Sequence, residues 1–95
     1  MAINLTVELY GNSRIITGQK LVQLKFADSK VGVVEVIQEL ALLFPALDGK
    51  VLDTGHKGLL SSYVFNLNGV GFQDPAKLKL RNGDSLLILP SQAGG

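Results

Sequence analysis

The chain has 95 residues, 46% hydrophobic and 18% charged, and nine basic against eight acidic side chains leave a net charge of +1. That is one domain with a substantial apolar core, and its charge gives no case for binding nucleic acid or an anionic membrane. The absence of cysteine excludes a disulfide framework, a thiolate metal site and a cysteine nucleophile.

Ile3, Leu5, Val7 and Leu9 alternate with Asn4, Thr6, Glu8 and Tyr10, the period of a strand with one buried face. Gly11-Asn12-Ser13 reads as a turn. A second strand is predicted over Leu21 to Phe26, with Val22, Leu24 and Phe26 on one face. Asp28-Ser29 is a plausible helix N-cap. Val33, Val36, Ile37, Leu40, Leu43 and Phe44 follow at helical spacing, with Gly32 weakening the first turn and Pro45 as the stop. Ala46 to Ser62 has no clear period and reads as a long irregular connection.

Tyr63 to Leu67 is a third predicted strand. Asn68-Gly69 signals a two-residue hairpin, with Val70 to Phe72 as a short returning strand. Asp74-Pro75 opens an irregular or 3₁₀ stretch to Leu80, and Asn82-Gly83-Asp84 is a further turn. Ser85 to Pro90 is the last strand, with Leu86 and Ile88 inward and Leu87 and Leu89 outward.

This β-β-α-β-β-β order predicts an α+β protein of the β-grasp type: a mixed sheet of about five strands packed on one main helix. Crossover logic sets the last strand beside the first, in the sheet centre. Residues 1–90 would form the domain and 91–95 a flexible tail. The apolar stretch from Val31 to Leu47 is broken by Glu35, Glu39 and Pro45, so no membrane span is expected. No signal peptide is visible, and a monomeric cytoplasmic protein is the expectation.

The tail Ser91-Gln92-Ala93-Gly94-Gly95 holds nothing that would tie it to a core. Extended, five residues reach roughly 17 Å. Glycines without a β-carbon can thread a narrow channel and leave the terminal carbonyl unhindered. A terminal carboxylate is ionised at neutral pH and is a poor electrophile, so chemistry there needs activation, typically as an acyl-adenylate. The chain has no P-loop and no dinucleotide fingerprint, so the activating catalyst must be another protein.

Three stretches carry a resemblance to a known family. They are Leu9-Tyr10-Gly11-Asn12-Ser13-Arg14 with Gly18, then Asn68-Gly69, and then Leu80 to Pro90 ending in Ala93-Gly94-Gly95. The chain resembles the family of the molybdopterin-synthase small subunit and the thiamin sulfur carrier, prokaryotic relatives of ubiquitin. The resemblance implies that Gly95 is adenylated by an ATP-dependent, E1-like activating enzyme and then receives sulfur as a thiocarboxylate. In the molybdopterin branch the tail, Ala93 and Gly94 included, would insert into a large catalytic subunit. The chain itself would bind no cofactor and would be a carrier rather than a catalyst. The length and the long connection favour that branch over the shorter thiamin carriers. Ser91 stands where the branch often has a second proline, and Leu89 where an aromatic residue often precedes Pro90. The same tail also permits conjugation to target lysines as a protein modifier, or a pure interaction module with no tail chemistry.

Tyr10, Phe72, Leu87, Leu89 and Pro90 are the candidate partner-binding residues. Tyr10, Leu87 and Leu89 fall on the outward face of strands expected to lie side by side, and Phe72 is as well suited to the core. Arg14 reads either as a salt-bridge partner of Asp84 or of a partner's acid, or as a solvated turn residue. His56, Asp48 and Asp53 share a loop, but their spacing defines no metal site.

Overall fold

The computed structural model describes residues 2–27, 30–55, 58–69 and 79–91. Strand β1 (Ile3–Leu9) and strand β2 (Leu21–Phe26) pair antiparallel, with Leu5 opposite Leu24 and Val7 opposite Val22. Strands β3 (Tyr63–Leu67) and β4 (Ser85–Pro90) also pair antiparallel, with Phe65 opposite Ile88. β4 lies parallel to β1, Val7 beside Leu86 and Leu9 beside Ile88. The sheet order is β2-β1-β4-β3, so first and last strands share the centre as the crossover argument requires. Four strands are present among the described residues, against about five expected. The expected returning strand Val70 to Phe72 lies outside them.

The alternation of β1 is expressed fully: Ile3, Leu5, Val7 and Leu9 are buried, and the residues between them are not. Helix α2 (Val33–Leu43) presents Val33, Val36, Ile37 and Leu40 to this inner face, all at most 2% exposed. Each such aliphatic side chain contributes about 1.5–3 kcal/mol when fully buried. Its N-cap is Gly32, four residues after the start expected at Asp28-Ser29, which lies outside the described residues. Gly32 therefore precedes the helix instead of weakening its first turn. The Glu35 carboxylate accepts the Gly32 N–H at 3.2 Å, one half of a capping box. Val31 is buried and bridges to Leu80, so it is committed to the sheet side of the cap.

The turn expected at Gly11-Asn12-Ser13 is instead the start of a short helix, α1 (Asn12–Thr17). Gly18 ends α1 in the left-handed region (φ 71°), its N–H donating to the Arg14 carbonyl at 2.8 Å. Side chains fasten α1 to the end of β1. The Ser13 hydroxyl donates to Tyr10 O at 2.7 Å, and Arg14 Nε to Leu9 O at 3.1 Å.

The connection after α2 is irregular, as its sequence suggests, yet it carries core. A 3₁₀ turn, Pro45–Leu47, opens it, and Leu47, Val51 and Leu52 are fully buried. Local backbone bonds such as Val51 N–H to Leu47 O (2.9 Å) and Leu60 N–H to Val51 O (2.9 Å) satisfy its polar groups.

Candidate functional site

β4 is the element that bears the candidate site, and both its ends are tied to neighbours. At its start, Gly83 takes φ 90° in the turn, and Asp84 accepts the Arg81 N–H at 2.8 Å. Asn68 sits at φ 55° beside Gly69 at φ 74°, the positive pair expected for this turn. Its side chain accepts the Ser85 N–H at 2.7 Å and donates to the Asp84 carboxylate at 3.2 Å. On the other flank, Thr6 N–H donates to Asp84 O at 3.0 Å.

At its far end, the Tyr10 N–H donates to Ile88 O at 3.2 Å, and the Ser91 N–H donates to Ser62 O at 2.7 Å. The main chain therefore leaves the centre of the sheet at a defined point. A shallow cleft of about 320 Å³ opens there, lined by Gly11, Asn12, Lys50, Ser62 and Tyr63. Pro90 and Ser91 line it as well. Gly95, Gly94 and Ala93 lie outside the described residues, as does Phe72.

The outward face of the sheet gathers the remaining candidates. Leu87 lies between Glu8 on β1 and Asn66 on β3; Leu89 lies opposite Val64. Continuing the β1–β4 register by one residue sets Tyr10 level with Leu89. Tyr10, Leu87 and Leu89 are half-buried and Pro90 is exposed. Arg14 does not reach across to Asp84. Its guanidinium stands 5.2 Å from the centre of the Tyr10 ring, a cation–π distance. Asp84 is engaged by Asn68 and Arg81 instead.

Two members of this face were not singled out from sequence. Leu21, opposite Glu8 on β2, is 49% exposed, and Val64 is half-buried beside Leu89. Both share the outward parity of their strands, which is the signal that would find them. The patch thus joins these apolar side chains to one carboxylate, Glu8, set between Leu21 and Leu87, and one amide, Asn66, on the other side of Leu87. No group of three metal-ligating side chains occurs among the described residues, and no helix there is long and apolar enough to cross a membrane.

No family model matches the sequence, and no curated protein matches it significantly. Solved structures do. Small archaeal modifier protein 1 from Methanosarcina acetivorans is 25% identical, with a TM-score of 0.75 over 100% of this chain and 99% of that one. A putative molybdopterin converting factor, subunit 1, from Pyrococcus furiosus is 15% identical, with a TM-score of 0.71 over 93% and 97%. The Amycolatopsis orientalis BexX/CysO complex contains a chain 23% identical, with a TM-score of 0.67 over 96% and 99%. Fold and sheet order define the chain as a ubiquitin-like β-grasp protein.

Proposed function

We propose that this protein is a sulfur carrier, and specifically the small subunit of a molybdopterin synthase. The observation that carries the reading is the mounting of β4. A central strand, bonded on both sides and at both ends, delivers Pro90 and Ser91 to the edge of the domain. The sequence then continues as Gln92-Ala93-Gly94-Gly95. A firmly mounted strand followed within five residues by Gly-Gly suits chemistry performed inside another protein.

In the proposed reaction the Gly95 carboxylate attacks the α-phosphate of ATP on an E1-like activating enzyme and expels pyrophosphate. Sulfide supplied by a partner then displaces AMP from the acyl-adenylate and loses its proton, leaving a thiocarboxylate. The apolar outer face around Leu87 and Leu89 docks the body first on the activating enzyme and then on the large subunit of the synthase. ATP belongs to the activating enzyme, and the chain supplies no catalyst. Mass spectrometry of the chain co-expressed with its activating enzyme tests this. The expected result is replacement of one terminal oxygen by sulfur, lost on deletion of Gly95. Persistent absence of that species sinks the reading.

The likeness to small archaeal modifier protein 1 supports a second reading, in which activated Gly95 forms an amide with a lysine of a target protein. That reading predicts a ladder of conjugates in cells that disappears when Gly95 is removed.

A further inference from the structure

We propose that Gly11 is a positioning residue for the C-terminal arm: the space left by its missing side chain seats the Pro90 ring, and this contact sets where the chain leaves the sheet. The functional meaning of the inference rests on the carrier reading above; the contact itself does not.

A β-carbon on Gly11 would stand 2.8 Å from Pro90 Cγ and 3.6 Å from Pro90 Cδ. The first distance is far inside the roughly 3.5–4.0 Å at which carbon atoms rest. Neither side can yield easily. Gly11 is the N-cap of α1, its carbonyl accepting the N–H groups of Arg14 (3.1 Å) and Ile15 (3.4 Å). The preceding residue is clamped by the Ser13 hydroxyl on Tyr10 O at 2.7 Å. Pro90 is the last residue of β4, and its ring is closed on its own backbone, so it cannot swing aside as the end of a long side chain would. The residue after it is pinned by Ser91 N–H to Ser62 O at 2.7 Å. Any side chain at position 11 must therefore push Pro90 outward and strain that last hydrogen bond.

Gly18, at the other end of α1, lacks this contact. Its φ is also positive (71°, against 64° for Gly11), but with ψ 13° it lies in the left-handed region, whereas Gly11 at ψ −138° lies outside it, and a β-carbon on Gly18 meets nothing within 4 Å. Gly11→Ala thus carries a larger backbone cost than Gly18→Ala as well as the clash, and the Pro90→Ala background, which leaves the backbone cost in place, isolates the clash.

The test is amide hydrogen exchange at Ser91 in the full chain, read against global stability. Gly11→Ala should lower Ser91 protection about tenfold, while Gly18→Ala leaves it within about twofold of the parent. In a Pro90→Ala background, Gly11→Ala should have no further effect on Ser91, because the ring it meets is gone. Equal Ser91 protection in Gly11→Ala and Gly18→Ala overturns the proposal. If Gly11→Ala does not fold, the double variant decides. Folding restored by Pro90→Ala supports the contact; if the double variant also fails to fold, Ser91 protection in Pro90→Ala with Gly11 retained decides, and protection equal to the parent's overturns the proposal.

A second measurement is steady-state adenylation by the activating enzyme, followed by pyrophosphate release. A misdirected arm on an intact docking face should lower kcat with KM for the carrier unchanged. A merely unfolded fraction would raise the apparent KM instead. An unmodified chain that is never adenylated counts against the carrier reading alone, and the exchange experiment still decides the role of Gly11.

Discussion

The two faces of β4 are built from nearly the same residues and do opposite work. Leu86 and Ile88 point inward and are 1% and 0% exposed, packed with Val7, Leu9 and Phe65 in the core. Leu87 and Leu89 point outward, half-buried beside Glu8, Asn66 and Val64. Adjacent residues of one strand thus divide into a pair that holds the domain together and a pair that the domain holds out. The difference shows that hydrophobicity alone does not identify a core position here. The period-2 geometry of the strand assigns the role, and a one-residue slip would exchange the two pairs.

The largest effect should come from the inner face. Ile88→Ala leaves a cavity at the sheet centre and should cost about 2–5 kcal/mol in denaturant unfolding. If this variant unfolds at the parent's midpoint, the inner face of β4 does not carry the domain. A smaller loss is expected at the latch on the strand's start. Asn68→Ala removes the acceptor for Ser85 N–H and the donor to Asp84, and places a poorly suited residue at φ 55°. The expected cost is about 1–2 kcal/mol. Asn68→Gly keeps the turn conformation and loses only the bonds, so it should fall between parent and alanine variant. Should the glycine variant equal the parent, the latch bonds contribute nothing and the turn conformation alone matters.

The sheet was largely legible because its signals are local and periodic. The alternation in β1, the Asn68-Gly69 pair and the apolar run of Ser85–Pro90 each specify geometry over a few residues. The helix face of Val33, Val36, Ile37 and Leu40 was equally plain, but Leu43, which shares that spacing, is 49% exposed in the last turn. What escaped depends on contacts between distant segments. α1 has only six residues, too few for a period, and is held by Gly11 and by side-chain bonds to β1. The start of α2 fell at Gly32 because Val31 is committed to its bridge with Leu80. Leu47, Val51 and Leu52 entered the core from a segment without any repeating pattern. At the candidate site, the outward parity of Leu87 and Leu89 could be read directly. Leu21 and Val64 joined them only once the register was known.

The smallest change in stability should come from the outer face, and it should carry the clearest change in recognition. Leu87→Ser and Leu89→Ser each remove a half-buried side chain from a surface that solvent already reaches. Each should cost about 1 kcal/mol or less in unfolding. If the patch docks the body on the activating enzyme, a central apolar anchor is worth more in the complex than in the free chain. The KM for the carrier should then rise about tenfold in adenylation, with kcat unchanged, because the arm and its mount at Pro90 and Ser91 are untouched. The same assay on Ile88→Ala, corrected for the folded fraction, should show the parent's KM. A parental KM in the Leu87 and Leu89 variants would mean that the outer face is not where the activating enzyme binds. A fall in kcat at constant KM would place these residues with the arm, acting on its delivery and not on docking. The outcome of that pair of measurements decides whether the two faces of β4 divide stability from recognition, or whether the outer leucines serve the arm that the strand delivers.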